Sequence, residues 1–252
     1  VLKFLNKVPI YKKQQLMSAK IFNGFFVLFI LNPLLLFSQE NLNQLDAEGK
    51  RHGKWMKKFE GTDQIRYEGE FNHGKEVGTF KFYEKGNEDH PHATKTYSSN
   101  SDIVDAKFYT KKGKLLTEGH FKDRKRTGKW TYYHKKKEVV MMIENYQNGQ
   151  LNGEKSIFYE NGKISEKQHY LNGVQQGEHL VYGANGKLLQ YYTYKDGQLQ
   201  GLSKIYNTEG QLIKEGNYKN GLRDGIWKTY ENGKLTETEK FPKEKPSVSK
   251  GK

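Results

Sequence analysis

Glycines recur along this chain in pairs four residues apart, and the pairs themselves recur every two dozen residues. Gly149/Gly153, Gly173/Gly177, Gly197/Gly201 and Gly221/Gly225 follow one another at intervals of 24. The series runs backwards through Arg124/Gly128, Asn100/Val104 and Gly74/Gly78 to Gly49/Gly53 at spacings of 24 to 26. A period of this length marks a tandem repeat rather than a single globular core. Eight units fill residues 49–241.

Each unit carries the same apolar columns. Five residues past the second glycine position stand Lys58, Tyr83, Tyr109, Tyr133, Phe158, Tyr182, Tyr206 and Tyr230. Phe71, Tyr97, Phe121, Tyr146, Tyr170, Tyr194, Tyr218 and Phe241 close the units. Six residues before each of these comes a mostly aliphatic position, from Ile65 to Leu235. That even separation predicts that the last two columns share one strand face. The turns agree with hairpins: Asn161-Gly162 and Asn185-Gly186 lie within units, Asn172-Gly173 and Asn220-Gly221 between them. Asn-Gly supplies the positive φ that tight hairpin turns need. The predicted fold is all-β, an elongated single-layer antiparallel sheet of about eight tandem β-hairpins, roughly 75–80 Å along its strand-stacking direction. Unit two is longer, and residues 86–106 are predicted to form an irregular insertion. With 17 Tyr, 14 Phe and 3 Trp, the hydrophilic chain is too aromatic to be disordered.

Tyr67-Glu68-Gly69-Glu70-Phe71-Asn72-His73-Gly74-Lys75-Glu76-Val77-Gly78 resembles the MORN repeat pattern YEGxFxxGxxxG. The units from 149 onward resemble its longer variant, best seen in GIWKTYENGKLTETEKF at 225–241. The resemblance implies an extended sheet that serves as a scaffold or binding surface. Proteins resembling this variant are often labelled antitoxins, which makes neutralisation of a partner toxin the alternative function.

Residues 1–39 carry five lysines and no acid, and 21–37 are almost wholly apolar. This predicts a secretory signal peptide, with Met17 as a candidate start, over the alternative of a membrane anchor at 21–37 interrupted by Asn32-Pro33. The exit near Ser38–Glu40 resembles that of exported Bacteroidetes proteins. The expected location is therefore the periplasm, outer envelope or medium. Residues 40–48 read as a linker and 242–252 as a disordered basic tail. The absence of cysteine removes disulfides, thiolate metal sites and a cysteine nucleophile.

Charge is concentrated. Residues 111–137 hold eleven basic side chains against Glu118 and Asp123, a net of +9, which equals the excess of 38 basic over 29 acidic residues across 40–252. Lys111, Lys112 and Lys114 fall in one turn, and Lys135, Lys136 and Lys137 in the equivalent turn of the next unit. A meander places those turns on one edge about 10 Å apart, with Arg124–Arg126 on the opposite edge. Such a patch attracts phospholipid or lipopolysaccharide headgroups or an acidic protein. The lysines together with Trp130 are the candidate partner-binding residues. Trp55, Trp130 and Trp227 share one position in their units, and the bland reading is that they fill a half-buried face. His90 and His92 with Glu88 and Asp89 form the only metal-like cluster, and Pro91 between the histidines favours a solvated loop instead. No nucleophile elbow, zincin motif, phosphate loop or dinucleotide fingerprint is present. No catalytic residue, cofactor, metal or nucleic-acid partner is therefore expected. A wide apolar face invites homodimerisation across it.

Overall fold

The computed structural model describes residues 41–243. The leader or anchor expected at 1–39, and the tail beyond Lys243, lie outside the described residues. Every regular element among those described is a strand. The first hairpins use β1 (Gln44–Leu45), β2 (Arg51–Lys58), β3 (Ile65–Asn72), β4 (Lys75–Phe82), β5 (Ala93–Tyr97), β6 (Ile103–Tyr109), β7 (Leu115–Lys122), β8 (Lys125–Tyr133) and β9 (Val140–Gln147). The rest use β10 (Gln150–Leu151), β11 (Gly153–Phe158), β12 (Ile164–Leu171), β13 (Val174–Tyr182), β14 (Leu188–Lys195), β15 (Gln198–Leu199), β16 (Gly201–Tyr206), β17 (Leu212–Lys219), β18 (Leu222–Glu231) and β19 (Lys234–Phe241).

Neighbours in sequence pair antiparallel throughout, giving one open sheet with β1 and β19 at its margins. β9 pairs with both β10 and β11, and β14 with both β15 and β16. These are single strands interrupted at Asn152 and Gln200, so the eight predicted hairpins account for every strand except β1. That strand corrects the linker expected at 40–48, because Gln44 and Leu45 already pair with His52 and Arg51. Asp46 turns the chain there by accepting the N–H groups of Glu48 (2.9 Å) and Lys50 (2.8 Å) on Oδ1. The segment 86–106 is also more regular than expected. Its residues in β5 and β6 pair without a register shift, and the irregular part is the loop between β4 and β5.

The two sets of turns differ in kind, except at Asn232-Gly233, a within-unit turn with positive φ at both residues. Between units, Asn172-Gly173 takes φ of 50° and 82°, and His73-Gly74, Asn148-Gly149, Asp196-Gly197 and Asn220-Gly221 do the same. This is the two-residue turn whose twist matches antiparallel strands. Within units, only the glycine of Asn161-Gly162 and Asn185-Gly186 has positive φ. The asparagine acts through its side chain, Asn161 Oδ1 accepting the Lys163 N–H at 3.0 Å and Asn185 Oδ1 that of Lys187 at 3.0 Å.

One sheet face is aromatic. Trp55, Phe71, Phe80 and Tyr97 meet edge-on in sequence, as do Phe121, Trp130 and Tyr146, and Tyr218, Trp227 and Phe241. Each such pair contributes about 0.5–1.5 kcal/mol beyond the area it buries. The most buried large side chains are Trp130 and Trp227, at 0 and 1 % exposure. The even-spacing expectation for the aliphatic and closing aromatic columns is corrected here. A one-residue register shift, between Ile157 and Phe158 for example, sets Ile164 opposite Phe158. A bulge of this kind shifts the period-two count, so the two columns do not share a face.

The other face is polar. Glu68 accepts from Lys81 (3.0 Å) and the Tyr83 hydroxyl (3.0 Å), Glu118 from Tyr133 (2.6 Å) beside Lys107 (3.4 Å), and Glu215 from Tyr230 (2.8 Å). Tyr83, Tyr133 and Tyr230 of the tyrosine column thus turn their hydroxyls towards glutamates fifteen residues upstream.

Candidate functional site

The lysines occupy two turns built by their own backbones. In the first, the Thr110 N–H donates to the Lys114 carbonyl (2.8 Å) and Gly113 N–H to the Thr110 carbonyl (2.9 Å). Thr110 Oγ1 also accepts from the N–H groups of Lys112 (3.3 Å) and Lys114 (3.1 Å). In the second, His134 N–H donates to the Val139 carbonyl at 2.9 Å. The turns follow β6 and β8, so the meander sets them side by side on one edge, as the sequence predicts. Lys111, Lys112, Lys114, Lys135, Lys136 and Lys137 are all exposed.

The six are not equivalent. Lys111 pairs with Glu84 at 3.4 Å, and Lys137 with Glu160 at 2.9 Å. The Lys137 ammonium hydrogen-bonds the Glu160 carboxyl and holds it below the usual carboxylate range. The outer lysines are thus spent on acids of the flanking turns. Lys112, Lys114, Lys135 and Lys136 have no acidic partner among the described residues, and they concentrate the uncompensated charge of the edge.

Trp130 is placed elsewhere. Its ring lies on the aromatic face between Phe121 and Tyr146, over the backbone of Gly119, with Nε1–H donating to the His120 carbonyl at 3.1 Å. At 0 % exposure it has no surface to offer a partner. Arg126 is corrected as well. It does not project from the opposite edge but lies 4.4 Å over the Trp130 ring and donates to the hydroxyls of Tyr132 (2.8 Å) and Tyr146 (3.0 Å). Arg51 and Arg223 lie over Trp55 and Trp227 in the same way. The face expected to be apolar enough for dimerisation is therefore partly roofed by guanidinium groups. Arg124 does stand on the opposite edge, in the tight turn after β7.

His90 packs its ring over Gly113, and the His92 backbone bridges β4 and β6. Among the described residues no three His, Asp or Glu side chains converge as a metal would require.

A further pattern of glycines lies outside the repeat columns. Gly69, Gly119 and Gly216 each lie under the ring eleven residues on, Phe80, Trp130 and Trp227. In each case the glutamate before the glycine binds a tyrosine on the polar face. Where the eleventh residue is small or polar, the glycine is replaced: Lys95 faces Ala106, Gln168 faces His179, and Glu144 pairs with Lys155 at 3.4 Å. The signal was the repeated Glu-Gly dipeptide at 68–69, 118–119 and 215–216.

This architecture defines a tandem β-hairpin repeat scaffold. A family model, the MORN repeat variant, matches residues 151–172, 175–196 and 199–220. Each match spans one hairpin from just after one tight turn to the first residue of the next. The hairpins on either side of the matched stretch, β8–β9 and β18–β19, pair antiparallel with the same register shift near the inner turn. No curated protein matches the chain.

Proposed function

We propose that this chain is an exported, non-enzymatic scaffold that binds an anionic partner, a protein or an envelope surface, through its lysine edge. The reading rests on the four lysines without counter-charge, held on adjacent turns by backbone hydrogen bonds. Turn side chains of this kind change without disturbing the stacked rings, which suits a recognition surface. The basic and apolar opening of the sequence supports export, and the lack of enzyme motifs supports a binding role. The test is titration of the chain with poly-glutamate and with phosphatidylglycerol vesicles, at low and at raised salt. Binding to at least one is expected, weakened by salt as exposed charges are screened, and abolished by Lys112→Glu, Lys114→Glu, Lys135→Glu and Lys136→Glu together. Binding that survives those substitutions would remove the lysine edge from the account.

A further inference from the structure

Successive turns along the lysine edge are tied together by side chains from Gln64 to Glu209, with one exception. Gln64 Nε2 donates to the Glu84 (2.7 Å) and Asn87 (3.3 Å) carbonyls. Asn87 donates to the Lys111 carbonyl at 3.3 Å, alongside the Lys111–Glu84 pair. Further on, His134 Nε2 meets the Phe158 carbonyl at 3.3 Å and Lys137 pairs with Glu160. Asn161 and Lys163 then reach the carbonyls of Ala184 (3.2 Å) and Asn185 (3.0 Å). Asn185 and Lys187 reach those of Thr208 (3.0 Å) and Glu209 (2.5 Å). Between the turn at 110–114 and the turn at 134–139, no hydrogen bond or ion pair crosses among the described residues. The lysines without an acidic partner are Lys112 and Lys114 on one of these turns and Lys135 and Lys136 on the other. They repel, and Glu138, the one acid of the second turn, makes no ion pair with the first turn's lysines among the described residues.

We propose that this gap is a binding site for an acidic peptide segment, whose carboxylates bridge the two lysine turns as side chains bridge the other turns. This rests on the lysine edge being the binding surface. Equivalent turns of adjacent hairpins lie about 10 Å apart. In a polyproline II segment, residues three apart project to one side at about 9.3 Å. Carboxylates at positions i and i+3 of such a segment therefore reach one turn each. A flat anionic membrane fits the edge less well. The two turns before the lysines carry Glu60, Glu88 and Asp89 against Lys85, beside Asp63 paired with Lys58 and Glu84 paired with Lys111, and a plane resting on all four turns would press on the three acids left over.

The experiment uses the full chain and a fluorescent peptide with Glu at every third position in a Pro/Ser background, its Gln twin, and phosphatidylglycerol vesicles. The Glu peptide is expected to bind at least tenfold tighter than the Gln twin and to sediment with the chain in preference to vesicles. Lys112→Glu with Lys135→Glu is expected to cost at least tenfold, in variants whose circular dichroism is unchanged. Should either variant unfold, the Glu-to-Gln ratio on the unaltered chain still decides. Glu88→Lys with Asp89→Lys is expected to leave peptide binding unchanged. Vesicle binding that equals or exceeds peptide binding, or peptide binding indifferent to Glu versus Gln, would overturn the inference while leaving the lysine edge standing. Binding of neither probe would overturn both.

Discussion

Gly119 lies directly beneath the indole of Trp130, and a β-carbon on Gly119 would overlap the ring. The close approach lets an indole on a single-layer sheet become wholly buried, because backbone closes one side and Arg126 the other. Gly119→Ala is expected to destabilise the chain by about 1–3 kcal/mol through overpacking. Trp130→Ala leaves a cavity and is expected to cost about 3–5 kcal/mol. Urea midpoints measure both. A Gly119→Ala variant as stable as the parent would show that the ring does not depend on the glycine.

Arg124 takes φ of 63° at a turn position where its equivalents Gly74, Gly149, Gly173, Gly197 and Gly221 are all glycine. A side chain in the left-handed region costs on the order of 1 kcal/mol unless something compensates it. No hydrogen bond or ion pair holds the Arg124 side chain among the described residues. Arg124→Gly is therefore expected to stabilise the chain by about 1 kcal/mol, read as a rise in thermal midpoint. A fall would reveal a contact that the free chain's geometry does not contain.

The glutamate–tyrosine pairs of the polar face set a pH window. Burial, reinforced by the Glu118 carboxylate, pushes the Tyr133 hydroxyl from its ordinary 10.0 up to about 12. The hydrogen bond from Tyr133 holds the Glu118 carboxyl below its ordinary 4.5. A raised tyrosine stabilises the fold fully below pH 10, and the contribution fades as pH climbs from there towards 12. A depressed glutamate contributes above pH 4.5, and its contribution fades as pH falls below that value. Tyr133→Phe is expected to flatten the alkaline limb of a stability-against-pH curve and to raise the Glu118 pKa. Curves that superimpose at both ends would show that the pair carries no linkage.

How far the fold was legible depends on the distance over which each rule acts. Asn172-Gly173 and its equivalents announce their turns locally, and the 24-residue period then sets strand order and the edge that carries Lys112 and Lys135. Burial was not legible in the same way. A bulge in β12 opposite Phe158 shifts the alternation by one residue, so counting along one strand put the aliphatic and closing aromatic columns together. Counting could not reveal that the Trp130 column is the deepest. Arg126 read as an edge charge because nothing in a charge run shows that its guanidinium lies over the ring four residues ahead. The same holds for Lys111 and Lys137. Their partners Glu84 and Glu160 lie on other hairpins, and only the assembled edge shows which lysines stay free.

One hairpin pair carries the glycine–ring arrangement in reverse. The register that pairs Tyr191 with Lys204 sets Tyr192 opposite Ser203, at the positions held by Gly216 and Trp227 in the next unit. The ring comes from the earlier strand and the small residue from the later one. Ser203 is 0 % exposed, and its hydroxyl has no partner. Ser203→Ala is therefore expected to be neutral or to stabilise by up to about 1 kcal/mol, since it removes a buried hydroxyl that nothing satisfies. Ser203→Trp alone overpacks against Tyr192, and Tyr192→Gly alone empties the site, so each is expected to destabilise. Combined, they rebuild the Gly216–Trp227 arrangement. A double-mutant cycle on denaturation midpoints is expected to show about 2 kcal/mol of favourable coupling. Simple additivity would mean that the two positions do not share one space, and the complementarity inferred across the aromatic face would fall with it.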